Sequence, residues 1–130
     1  DIIEIRMKTI ERKFDLEDRL IDFAISISEI VEILPNTKFG NQIGGQLTRS
    51  GTSPALNYGE AMSAESTNDF IHKLKIILKE LRESFVCLKI IKRKPLIQTS
   101  ENLELVYKEN NELIAIFVKS IQTAKINQIK

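Results

Sequence analysis

His72 is the only histidine and Cys87 the only cysteine among 130 residues. A nucleophile and its base must lie within hydrogen-bond reach of each other. Both residues fall in a segment of helical periodicity, and the fifteen steps between them rise about 22 Å at 1.5 Å per residue, so they form no such pair. No group of Cys, His and carboxylate residues has the spacing of metal ligands. Glu80 and Glu83 share a helical face and could serve acid–base chemistry, but Lys73, Lys79 and Arg82 stand close enough to pair with them. The glycines between Gly40 and Gly51 form neither a GxGxxG nor a Walker pattern. Ser50 and Ser53 have no base placed to activate them and read as packing and capping groups. The chain therefore reads as a non-enzyme, with no catalytic residues, no metal site and no cofactor.

The chemistry that remains is charge. The net charge is only +1, but it is unevenly distributed. Residues 1–71 carry seven basic and twelve acidic groups, residues 72–94 carry eight basic and two acidic, and residues 95–130 carry four of each. Lys75, Lys79, Arg82, Lys89 and Arg93 follow steps of four, three, seven and four, so they line one helical face. The stripe is about 27 Å long, and Lys92 and Lys94 widen its end. Such a line neutralises successive backbone phosphates and binds nucleic acid in a salt-dependent way with little base readout. The alternative is a solvated face whose cations favour the helix C-terminus and are balanced by neighbouring acidic helices.

Four segments with a helical period must carry this stripe. The first spans about 15–34, with Leu16, Leu20, Phe23, Ala24, Ile27, Val31 and Leu34 on its stripe and Pro35 after it. The second spans about 42–62, with Ile43, Leu47, Ser50, Gly51, Pro54, Tyr58 and Ala61 on one side. Pro54 removes a backbone donor, which predicts a kink there, with two shorter pieces as the alternative. The third spans about 67–94, capped by Thr67 or Asn68 and stopped by Pro95, with Ile71, Leu74, Leu78, Leu81, Phe85 and Leu88 as its seam. The fourth spans about 100–124, with Leu103, Val106, Leu113, Phe117, Ser120 or Ile121, and Ala124 inward. Asn110 falls on that stripe and needs a partner if buried, and the tail after Ala124 is expected to fray. Short connections near 35–41, 63–67 and 95–100 favour antiparallel neighbours. The expected fold is all-α: one domain over residues 1–130, an antiparallel up-down-up-down four-helix bundle with its second helix kinked near Pro54.

A chain of this length buries roughly two-thirds of its surface without staples, and a lone cysteine excludes an internal disulfide. With no run of about 18 apolar residues and no signal-peptide pattern, a cytoplasmic protein is expected. The apolar residues outnumber what one stripe per helix requires. Ile21, Ile25, Ile30 and Ile33 lie beside or opposite the first seam, and Ile76, Cys87 and Ile90 lie roughly opposite the third. Single exposed apolar residues are common, but rows of them on two helices point to self-association.

The stretch SGTSPALNYGEA (Ser50 to Ala61) followed by DFIHKLKIILKELRES (Asp69 to Ser84) resembles the 23S rRNA intervening-sequence protein family of four-helix bundle proteins. Relatives typically carry R-S-G-T-S-x-x-x-N-x-x-E-A in the second helix, matched here by Arg49, Ser50, Gly51, Thr52, Ser53, Asn57, Glu60 and Ala61. They open the third helix with D-F-x-x-K-L, matched by Asp69, Phe70, Lys73 and Leu74, with Glu80 beyond. Pro54 and Gly59 depart from that pattern, and an aromatic pair expected after Glu83 is reduced to Phe85 and Val86. The resemblance implies a bundle that assembles into a ring-shaped homopentamer. It also implies kinship with the accessory protein of diversity-generating retroelements, a basic bundle that partners a reverse transcriptase and nucleic acid. The matched residues have a structural role available as well, with Asn57 and Glu60 satisfying backbone groups or Arg49 where the second helix bends.

Together these readings lead to the expectation of a non-enzymatic homo-oligomer that binds RNA or DNA through Lys75, Lys79, Arg82, Lys89 and Arg93, with Arg49 a further contact. A protein-interaction scaffold, or an accessory subunit that binds a partner protein, is the alternative. No membrane partner is expected.

Overall fold

A computed structural model describes residues 1–98 and 100–129, with side chains given outside 5–14. The described residues are all-helical: α1 (Ile2–Glu32), α2 (Lys38–Met62), α3 (Thr67–Arg93) and α4 (Glu101–Ile129). Their starts follow from local capping. The Asp1 side chain accepts from the Glu4 amide, Thr37 from Gly40, Ser66 from Asp69, and Ser100 from Leu103. Each removes one of the amides that a helix leaves without an internal partner. α3 ends at Arg93 and is capped by Lys94, whose amide donates to the Ile90 carbonyl, just before Pro95.

Four boundaries differ from the sequence expectation, and one of them is the start of α2, at Lys38 behind the Thr37 cap rather than near Gln42. α1 begins at Ile2 rather than near Asp15, because residues 2–14 contain no glycine or proline to stop a helix. Ser66, not Thr67 or Asn68, caps α3. α4 runs to Ile129 rather than fraying after Ala124, and Gln128 donates to the Asn68 side chain at the start of α3, tying the last turn down. α2 is continuous through Pro54, which excludes two shorter pieces.

α1 packs on α2 and α4, and α3 also packs on α2 and α4. From Arg49–Glu83 and Ser50–Ser84 to Glu60–Lys73 the numbering rises along α2 and falls along α3. From Lys92–Glu104 and Leu81–Asn110 to Asn68–Gln128 it falls along α3 and rises along α4.

One apolar cluster joins all four helices: Leu20, Phe23, Ile27 and Ile30 from α1, Leu47 and Tyr58 from α2, Leu74, Ile77, Leu81, Leu88 and Ile91 from α3, and Leu103, Leu113 and Phe117 from α4. Tyr58 and Phe117 meet edge to face with centroids 6.2 Å apart, an arrangement that aromatic quadrupoles favour. Gly51 allows α1 and α2 to touch, since a Cβ there would lie 2.7 Å from Ile27 Cγ2. The inward stripe of α2 matches the expected residues throughout. In α3, Ile77, Ser84 and Ile91 are buried, whereas Leu78 and Phe85 are only half-buried, so the seam is rotated from the expected one. Ile30, expected as surplus, belongs to the core, and Cys87 joins it. Ile21, Ile25 and Ile33 remain exposed. Among the described residues no helix is long and apolar enough to cross a membrane.

Candidate nucleic-acid interface

α3 presents its basic residues in two groups. Lys75, Lys79 and Arg82 are exposed and line an open groove of about 660 Å³ between α2 and α3. Its floor is apolar, with Ile43 from α2 and Leu78, Val86, Cys87 and Ile90 from α3. Among the described residues none of the three cations has an acidic partner within ion-pair distance. They therefore stand as a charged rim beside an apolar surface.

The second group lies toward the C-terminal end of α3. Phe85 and Tyr107 stack with centroids 4.6 Å apart. Lys89 Nζ lies 4.6 Å from the Phe85 centroid and Lys92 Nζ lies 4.1 Å from that of Tyr107. Because the two rings fill the space between them, the ammonium groups cap their outer faces, giving a Lys–Phe–Tyr–Lys sandwich of cation–π contacts. Lys92 also pairs with Glu104 at 3.0 Å. Arg93 and Lys94 are exposed beyond it, with Lys94 Nζ 5.8 Å from the Phe39 ring. Lys89 is thus turned toward α4, while Lys75, Lys79 and Arg82 face the α2 side.

Arg49 is placed differently from the other five. Its guanidinium donates to Glu80 at 3.1 Å, to Glu83 at 2.8 Å and to Gln46 at 3.0 Å. The Glu83 hydrogen bond and the Glu80 charge hold it still more firmly in its charged form. Glu80 is almost fully buried, so this pair balances a carboxylate that burial alone would penalise. The expected partners of Glu80 and Glu83 on α3 are not the ones they use, because Arg49 reaches across from α2. Nor do Asn57 and Glu60 serve Arg49. Asn57 Nδ2 donates to the Ser53 carbonyl and hydroxyl, one turn back and beside Pro54, and Glu60 accepts from Lys73.

The residues considered for catalysis are also placed. Ser84 donates to Ser50 at 2.9 Å, both fully buried, forming a small polar link inside the α2–α3 contact. Burial, and then the nearby Glu83, pushes the Cys87 thiol up, which holds it protonated. His72 is exposed in the N-terminal half of α3, one turn before Lys75. Buried Asn110 donates to the Leu81 carbonyl at 3.0 Å, but among the described residues its Oδ1 has no partner.

The fold and this surface define a helical bundle whose third helix presents cationic and apolar chemistry outward. The chain belongs to the 23S rRNA-intervening sequence protein family, whose model matches residues 12–119. It is similar to a solved structure from Bacteroides thetaiotaomicron VPI-5482, a protein with unknown function from the S23 ribosomal protein family. The two are 32% identical with a TM-score of 0.75, over 85% of this chain and 97% of that one. No curated protein matches the chain.

The apolar groove beside the cations, and the aromatic sandwich, were not part of the sequence reading. Their signal was present in Leu78, Val86 and Ile90 at spacings of eight and four, next to Lys75, Lys79 and Arg82. That pattern places an apolar strip on the same side as a charged one, rather than opposite it as in an ordinary amphipathic helix.

Proposed function

We propose that this chain is a cytoplasmic, non-enzymatic, antiparallel up-down-up-down bundle that self-associates and binds RNA or DNA through backbone phosphates. The opposed order of the interhelical pairs supports the topology. Pro54 leaves the Ser50 carbonyl without its helical donor, which supports a bend in α2 at that point. The observation that carries the function is the cationic side of α3, where Lys75, Lys79, Arg82, Lys89 and Arg93 meet few carboxylates. The two acidic residues of residues 72–94 are Glu80 and Glu83, and both pair with Arg49 of α2, against eight basic residues in the same segment. The positive field of α3 is therefore not cancelled by its own helix. Arg49 is a structural cation in this reading and not a phosphate contact.

The family name supplies the first nucleic acid to try, a 23S rRNA segment, with a DNA duplex of equal length beside it. Affinity should fall steeply with salt, since each neutralised phosphate releases a counterion. The variant K89E/R93E/K94E should lose binding while its helicity stays at the wild-type value. Unchanged affinity of that variant at low salt would refute the phosphate-binding role.

A second reading, a scaffold or accessory subunit for a partner protein, is favoured by the groove of about 660 Å³. An apolar floor of that extent exceeds what phosphate contact needs. Recovery of one defined protein after nuclease treatment would favour this reading over the first.

A further inference from the structure

We infer that the α2–α3 groove is the docking site for the acidic outer face of α1 from a second copy of this chain. The inference rests on the self-association part of the reading above and assigns that contact to two particular surfaces.

The first surface is the groove. Its floor is Ile43, Leu78, Val86 and Ile90, and its rim is Lys75, Lys79 and Arg82, with Gln46 and Glu83 also lining it and Glu83 paired to Arg49. Val86 is 53% exposed, although it sits in the middle of an otherwise apolar surface. The second surface is the side of α1 that turns away from the core. Ile21 and Ile25, 42% and 53% exposed, lie one turn apart on it. Asp18, Asp22, Glu29 and Glu32 are exposed and stand three, four or seven positions from one or other of these isoleucines, hence beside them on the helix. Arg19 is the one cation of residues 15–32, and it is turned to Glu109 and Glu112 on α4. Among the described residues the four carboxylates have no ion-pair partner.

The two surfaces are complements in composition. One is an apolar trough with a basic edge, and the other an apolar ridge with an acidic edge. They also share a register. Asp18 and Asp22 are one four-residue step apart, as are Lys75 and Lys79, so each pair is separated by about 6 Å along its axis. A helix laid in a groove with its apolar side chains down and its charges on the rim is a recurring mode of protein recognition.

Within one chain the two do not meet, because among the described residues α1 packs against α2 and α4 and not against α3, and its acidic face turns away from the core. The contact therefore joins different patches on two copies. Such a head-to-tail contact continues from copy to copy until it closes as a ring or grows as a filament. It also divides the α3 stripe. Lys75, Lys79 and Arg82 face carboxylates of the neighbouring copy, and phosphate contacts fall to Lys89, Arg93 and the lysines beside them.

The test is a charge exchange followed by sedimentation velocity and light scattering in low salt, without nucleic acid. K75E/K79E and D18K/D22K should each weaken assembly at least ten-fold in the concentration of half-association. The variant carrying all four changes should recover to within about three-fold, since a head-to-tail interface then pairs the exchanged charges. In a C87A background, mixing I25C with V86C under mild oxidation should give a disulfide-linked dimer that neither variant gives alone. A wild-type oligomer whose association is unmoved by both reversals, or a mixture that forms no linked dimer, overturns the assignment of these faces but leaves self-association standing. A wild-type monomer at every concentration overturns both. Loss of nucleic-acid binding in K89E/R93E/K94E with assembly intact is independent of either result.

Discussion

Gly51→Ala places one methyl group where α1 and α2 touch, and its effect can be worked from the geometry. The new Cβ would lie 2.7 and 2.9 Å from Ile27 Cγ2 and Cγ1 and 3.1 Å from its Cβ, against about 3.5–4.0 Å for carbon atoms at their optimum. Ile27 is fully buried, and because its own Cβ is part of the overlap, a change of rotamer does not relieve it. The helices must separate, at an overpacking cost of about 2–3 kcal/mol. Alanine gains about 1 kcal/mol over glycine inside a helix. The net loss is about 1–2 kcal/mol, which lowers the melting temperature by on the order of 5 °C for a chain of this size. Gly45 and Gly59 lie on the same helix and meet nothing within 4 Å, so Gly45→Ala and Gly59→Ala should each stabilise by about 0.5–1 kcal/mol through the helix term alone. Urea unfolding followed by circular dichroism measures all three. Adding Ile27→Ala should cost less in the Gly51→Ala background than in the wild type, since the two shortest of the three contacts are then gone. A Gly51→Ala variant as stable as Gly45→Ala would refute the close approach of α1 and α2 at this point.

Other outcomes follow from the buried polar groups. Asn110→Leu removes a buried amide whose Oδ1 has no partner among the described residues, and should be neutral or stabilising by up to about 1–2 kcal/mol. A clear loss in urea unfolding would mean that Oδ1 is satisfied. Arg49→Ala and Glu80→Ala should each destabilise, and the double variant should lose less than the sum of the two, because either change alone leaves one member of the pair without the other. Additive losses would dismiss the ion pair as a stabilising contact. Burial pushes up both the Cys87 thiol and the Tyr58 hydroxyl. A raised folded-state value means that the unfolded chain loses its proton first. The stability held by these groups is therefore complete at neutral pH and declines as pH rises above about 9. In Tyr58→Phe the alkaline decline in urea midpoint should be shallower, and an unchanged slope would remove Tyr58 from the account.

The sequence made α2 legible residue by residue, because Ile43, Leu47, Ser50, Pro54, Tyr58 and Ala61 keep a single stripe that glycine and proline do not disturb. The same periodicity misplaced α3. With apolar residues around much of its circumference, steps of three and four can be drawn through Leu78 and Phe85 or through Ile77, Ser84 and Ile91. Only contact with α2 and α4 selects the second. Ser84 is on the inner side because Ser50 is there to meet it, a relation between two helices that no single-helix pattern contains. The cations of α3 were legible as a face. Their division was not, because it depends on Tyr107 stacking under Phe85 and drawing Lys89 and Lys92 to its side.

The residues that carry the family resemblance prove to be those that hold the bundle together. Arg49 in the first motif block reaches Glu80 beyond the second, and Glu60 in the first reaches Lys73 in the second. Ser50 meets Ser84, Gly51 admits Ile27, and Asn57 bonds back to Ser53 beside Pro54. Most of the motif is thus accounted for by contacts inside one chain, and it encodes how α2 lies on α3 and α1. A ligand site would instead leave polar groups aimed outward and unmatched. Among the described residues, charged groups without an ion-pair partner lie outside these contacts and include Lys75, Lys79, Arg82 and Arg93 on α3 and Asp18, Asp22, Glu29 and Glu32 on α1. Function in this chain is therefore to be sought on the faces the motif does not include. Changes there should alter assembly and binding while leaving the fold intact, whereas changes in the motif should act through stability first.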